Sequence, residues 1–147
     1  MQVEITITRQ VIAPRRERPL QLPGEYGAMA EFEGLVRGEE DGKAIAALEY
    51  EAYEPMAQQM MRQIISEIGL RQPCLFVGVT HRIGLVPVGE AAIQIIVAAR
   101  HRAPAFAMLA GFMDRLKQEA PIWKVRAIPV AASVPSPKAS THHPPSP

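Results

Sequence analysis

Ile93-Gln94-Ile95-Ile96-Val97-Ala98, then His101-Arg102-Ala103-Pro104-Ala105-Phe106, then Pro121-Ile122-Trp123-Lys124 mark the stretch that decides the fold. The first run is apolar and rich in β-branched residues, as a buried strand is. From Ala103 to Ala120 the spacing of Phe106, Leu109, Ala110, Met113 and Leu116 predicts a helix, which Pro121 stops. Trp123 to Val130 returns as a strand. The cations of this stretch sit at the helix ends: His101 and Arg102 before it, Lys117 and Lys124 at and beyond its close. Positive groups confined to the ends of a helix make a poor solvated face and a reasonable anion pocket.

Working back toward the start, Leu75 to Thr80 is a second strongly apolar strand, and Gly84 to Gly89 with Pro87 is its connecting turn. Glu54-Pro55 opens another helix, where proline suits the first turn. Met56, Met60, Ile64 and Ile68 give it an apolar stripe, widened by Met61 and Ile65, and Gly69 is the expected C-cap. Gly27 to Arg37 predicts a strand with Ala28, Ala30, Phe32, Gly34 and Val36 on one face. Gly34 within it suggests a bulge or a close backbone approach. Ile45 to Tyr53 predicts a further strand, expected to pair with it as a hairpin across the turn Gly38–Gly42. Val3, Ile5 and Ile7 alternate with polar residues in a first strand. Arg9 to Pro23, with Pro14, Pro19 and Pro23 among Arg15, Arg16 and Arg18, is a loop.

The order is thus β, β, β, helix, β, β, helix, β. Strict alternation would mean a doubly wound sheet, and it is missing. The expected class is α+β, a mostly antiparallel sheet with two packed helices. A single domain is expected over residues 1–130. Residues 131–147, with five prolines and a Ser/His-rich remainder, predict a disordered tail.

Composition narrows the function. Sixteen basic and fifteen acidic side chains nearly cancel, so no global field argues for nucleic acid or a membrane surface. One cysteine allows no intrachain disulfide and no structural zinc site, which fits a reducing, cytoplasmic compartment. Met1-Gln2-Val3-Glu4-Ile5 has no basic or apolar leader, so no signal peptide is expected, and no run is long enough to span a bilayer. Glycine-rich nucleotide motifs and His-Glu-x-x-His are absent, so no cofactor and no metal are implied.

What recurs is a cation at the end of an element. Arg37 ends one strand, His81-Arg82 another and His101-Arg102 a third; Lys117 closes the second helix and Lys124 opens the last strand. Arginine offers a planar fork to phosphate or carboxylate, and lysine a point charge. Crowded cations disfavour the charged form of a lysine, which then serves as nucleophile or base.

These residues resemble a known family. Phe32-Glu33-Gly34-Leu35-Val36-Arg37, Leu48-Glu49-Tyr50-Glu51-Ala52-Tyr53 with Met56-Ala57, His81-Arg82-Ile83-Gly84 with Gly89-Glu90, His101-Arg102 with Ala105-Phe106, Leu116-Lys117 and Pro121-Ile122-Trp123-Lys124 come in the order and approximate spacing of the large, catalytic subunit of molybdopterin synthase. The resemblance covers Gly27 to Lys124. It implies an α/β-hammerhead fold and a sulfur transferase. The sulfur arrives as a thiocarboxylate on the C-terminal Gly-Gly of a small ubiquitin-like subunit. It goes to a cyclic pyranopterin monophosphate and forms the dithiolene of molybdopterin. Two large subunits would form a central homodimer with a small subunit at each end. By position, Lys117 and Lys124 match the family's active-site lysines, and Arg37, His101 and Arg102 its anion-binding groups. The family follows Trp-Lys with a lysine and an acid; here Val125 and Arg126 stand there. A module that only binds pterin or phosphate is the alternative, and it would need no pair of lysines.

Overall fold

The computed structural model describes residues 1–14 and 24–131; the run Arg15–Arg18 and the tail from 132 onward lie outside the described residues. In chain order the elements are β1 (Gln2–Thr8), β2 (Ala28–Leu35), β3 (Glu39–Glu40), β4 (Lys43–Ala52), α1 (Glu54–Gly69), β5 (Phe76–Arg82), β6 (Gly84–Pro87), β7 (Ala91–Ala99), α2 (Arg102–Glu119) and β8 (Ile122–Pro129). The class is α+β, as the sequence pattern predicts.

The strands divide into two groups. One sheet has the order β1-β5-β7-β2, with β1 parallel to β5 and the other pairs antiparallel. Its apolar rows follow from register. Val3, Val77, Val97 and Ala30 stand side by side, then Ile5, Val79, Ile95 and Phe32, then Ile7, His81, Ile93 and Gly34. Residues two apart share a face, so all three rows belong to one surface. Both helices pack on it, and Met61, Ile64, Ile65, Met108 and Phe112 are fully buried there. Truncating side chains of this size in a closed core costs about 2–5 kcal/mol.

The second group is built on β4, which pairs antiparallel with β3, β6 and β8. Its core is separate and small: Val36, Ile45, Leu48, Val86 and Ala92. Asp41 and Gly42 both have positive φ, 51° and 76°, between Glu40 and Lys43. That is the signature of a two-residue primed hairpin, and Asp-Gly is a favoured pair for it.

Four expectations need correction. β2 and β4 do not pair as a hairpin. β2 must lay Ala30 and Phe32 beside Val97 and Ile95, whereas β4 faces the other core. Gly84–Pro87 is a strand, not only a turn, because it completes the edge of β4. Both helices bury a face rotated from the expected stripe. α1 buries Ala57, Met61, Ile64 and Ile65 and leaves Met56 half exposed, while α2 buries Ala105, Met108, Phe112 and Leu116 and leaves Phe106 out. Gly111 lies where the two helices meet, and an added Cβ there would stand 3.4 Å from Ile68. Finally, α1 ends through Leu70 in right-handed backbone, so Gly69 is the last helical residue rather than a left-handed cap. No helix among the described residues is long and apolar enough to cross a membrane.

Candidate functional site

The third apolar row of the first sheet ends differently from the two before it. Where Ala30 and Phe32 supply side chains, Gly34 supplies none, and the β2–β7 register slips between Gly34 and Leu35. A Cβ on Gly34 would lie 2.8 Å from Ile93 Cγ2. Gly34 lines a cavity of about 420 Å³ between the two sheets and the C-terminal end of α2. Ile93, Leu48, Met113, Leu116 and Ile122 give it apolar walls, and Leu35 and Trp123 line it while remaining about half exposed.

Three of the five expected site residues line this cavity. Arg37 follows the end of β2, Lys117 lies in the last turn of α2, and Lys124 is in β8. Neither Arg37 nor Lys117 has an ion-pair partner among the described residues. His101 and Arg102 are not part of the lining. They stand exposed at the opposite end of α2, with Arg102 fifteen residues before Lys117. At ~1.5 Å per residue that is about 22 Å, longer than a cavity of this size. Cations at both ends of one long helix cannot share one cleft within one chain.

Glu40 and His81 are among the polar groups of the cavity that stood outside the expected set. Glu40 Oε1 accepts a hydrogen bond from Lys124 Nζ at 2.7 Å. So the carboxylate beside Lys124 comes from a hairpin 84 residues earlier in the chain, rather than from position 126. Arg126 instead pairs with Glu49. The sequence signal for Glu40 was the Asp-Gly turn that follows it.

The pattern of paired cations at strand ends does not hold for His81, because it is buried, and burial lowers its imidazole from the ordinary value while the Arg82 carbonyl pulls weakly the other way. Its neighbour Arg82 pairs with Glu90 at 3.1 Å. The His81 ring meets Tyr50 edge-on, with ring centroids 5.6 Å apart. Tyr50 faces Lys124 across the β4–β8 ladder. Burial raises the Tyr50 phenol, Lys124 lowers it and Glu40 raises it. The cavity therefore carries three cationic side chains, one carboxylate and three aromatic groups with hydrogen-bonding atoms, Tyr50, His81 and Trp123. A net positive, half-enclosed space of this kind attracts anions.

The family model described as MoaE protein matches residues 7–119. The chain belongs to the MoaE family. A human relative named molybdopterin synthase catalytic subunit is 45% identical over 98 residues, which is 67% of this chain and 52% of the relative. A relative of the same name from Bacillus subtilis is 46% identical over 100 residues, covering 68% of this chain and 64% of its own. The chain thus spans about half to two thirds of the length of these MoaE relatives. Molybdopterin synthase from Staphylococcus aureus, a crystal structure, superposes with a TM-score of 0.76 at 33% identity, covering 88% of this chain and 92% of that one. The MoaE match includes β2, α1 and α2, with Arg37 and Lys117, and ends before Lys124.

Proposed function

We propose that this chain is the catalytic subunit of a molybdopterin synthase. It would move sulfur from the C-terminal thiocarboxylate of a small ubiquitin-like subunit to a cyclic pyranopterin monophosphate. The observation that carries the reading is the meeting of Arg37, Lys117 and Lys124, from three separate elements, in one cavity of a MoaE-family chain.

The chemistry fits the residues. Both reactants are anions, one a phosphate and one a thiocarboxylate. Arg37 suits the phosphate, because its fork can make paired, charge-assisted hydrogen bonds. Lys117 faces the incoming tail. Lys124 binds the pterin and stabilises negative charge as sulfur adds. The half-exposed Leu35 and Trp123 at the lining give the tail an apolar wall to slide along. His101 and Arg102 keep their anion-binding role only if they reach the cavity of a second copy of the chain, because their own is a helix length away. The reading therefore includes a homodimer.

Mixing the purified chain with a thiocarboxylated ubiquitin-like protein ending in Gly-Gly and the pyranopterin tests the proposal. Formation of a dithiolene is the expected result. Binding of the pterin without turnover would instead favour a carrier, and neither binding nor turnover would remove the reading altogether.

A further inference from the structure

We propose that Glu40 is a positioning residue for the sulfur transfer, holding the Lys124 ammonium in place at the cavity; this rests on the reading above.

Glu40 is the single carboxylate among the residues lining the cavity. It is placed by local geometry and not by a flexible loop. The Asp41-Gly42 turn closes the β3–β4 hairpin in two residues, and Glu40 pairs directly with Lys43 in that ladder. A primed two-residue turn fixes the twist and register of the strands it joins. Lys124 comes from β8, which pairs with the same edge of β4 as β3 does, and stands in register with Tyr50. The two side chains converge at 2.7 Å, with Glu40 about three-quarters covered and Lys124 about half.

A lysine side chain has four rotatable carbons, and an unpaired one would spread its ammonium over several ångströms of cavity. One hydrogen bond to Glu40 removes most of that freedom. An ammonium has three N–H donors, so two remain for a ligand. Pairing with Glu40 therefore orients Lys124 without consuming it. The neighbouring acid cannot do this work, because Glu49 is taken by Arg126. Arg37 and Lys117 have no such partner among the described residues, which leaves their charge for the incoming anions.

The test uses the full chain with its thiocarboxylated partner and the pyranopterin. Glu40→Gln keeps the shape and removes the charge. It is expected to lower kcat about 10- to 100-fold, the loss typical of a reacting group displaced by about an ångström. Glu40→Asp, which keeps a carboxylate, is expected to recover a large part of it. Lys43→Gln, at the facing position of the same hairpin, is expected to turn over as the wild type does. A second readout does not depend on turnover: acetylation of lysines by acetic anhydride, followed by mass spectrometry, should run several-fold faster at Lys124 in Glu40→Gln and unchanged at Lys117. Glu40→Gln with wild-type kcat, an unchanged Lys124 labelling rate, or an equal loss in Lys43→Gln each overturns the proposal. Absence of turnover in the wild type itself would be a failure of the sulfur-transfer reading, and the labelling comparison would still decide the role of Glu40.

Discussion

Nδ1 of His81 lies 2.8 Å from the carbonyl oxygen of Arg82. A carbonyl only accepts, so the ring carries a proton on Nδ1 and its Nε2 lone pair stays uncommitted to that bond. The bond fixes a tautomer at the wall of the cavity, in the row that ends at Gly34.

That arrangement makes stability depend on pH. Burial lowers the imidazole of folded His81 below its ordinary value of 6.5. Between the lowered value and 6.5 the unfolded chain binds the proton more readily than the folded one, so stability rises with pH. The contribution is complete above about 6.5 and is lost as pH falls below it. One such proton gives a slope of at most about 1.4 kcal/mol per pH unit. Urea denaturation midpoints measured from pH 8 to pH 5 should fall on the acid side, and His81→Asn should flatten that limb. An unchanged limb would mean that the ring is not held neutral.

The two lysines are expected to fail differently from the core. Lys117→Ala and Lys124→Ala remove exposed or half-exposed charge and bury nothing, so melting temperatures should stay within a few degrees of the wild type. Sulfur transfer should fall by about 10²-fold or more in each, the usual loss when a group stabilising developing charge is removed. Arg37→Ala should act more on KM for the phosphorylated pterin than on kcat. Steady-state kinetics of the reconstituted enzyme separates these outcomes. Retained activity in Lys124→Ala would refute its role.

Much of this was legible from the residues alone. Local period gave the strands, since Val3-Ile5-Ile7 and Ala28-Ala30-Phe32 do turn one face to the core. Element ends gave Arg37, Lys117 and Lys124. Pairing was not legible, because it is set at long range: β2 finds β7 more than fifty residues later, where their apolar rows match. Helix phase was not legible to within one residue either. Ala105 and Met108 are buried and Phe106 is not because the side they share packs against both α1 and the first sheet. Glu40 looked like a turn residue until the chain folded Lys124 onto it. His101 and Arg102 looked like partners of Lys117 because they share a helix, and it is the length of that helix that separates them.

Gly34 should tolerate no side chain. Its backbone needs no unusual conformation; the constraint is space, with Ile93 Cγ2 at 2.8 Å and Phe32 at 3.6 Å from where a Cβ would stand. Both neighbours are packed in the sheet core and cannot swing away freely. Gly34→Ala is expected to cost about 1–3 kcal/mol, as overpacking of a closed core does. It should also narrow the cavity, so pterin affinity measured by calorimetry should fall in the folded variant. A stable variant with normal affinity would show that the row end is looser than its distances indicate.

The position of His101 and Arg102 yields the last prediction. If they serve the cavity of a second copy, a site takes Lys124 from one chain and Arg102 from the other. Lys124→Ala and Arg102→Ala homodimers are then both inactive, for different reasons. Mixing the two chains, unfolding and refolding them together, gives half mixed dimers. In each mixed dimer one site combines the intact Lys124 with the intact Arg102, and the other carries both defects. Activity should return to about a quarter of the wild-type level, as two-fold symmetry requires. The same mixture without subunit exchange should stay inactive, which controls for contamination. If Arg102 acted on its own chain's cavity, each mixed dimer would contain one site with a lysine defect and one with an arginine defect, and no activity would return. The helix length of about 22 Å between Arg102 and Lys117 favours the first outcome.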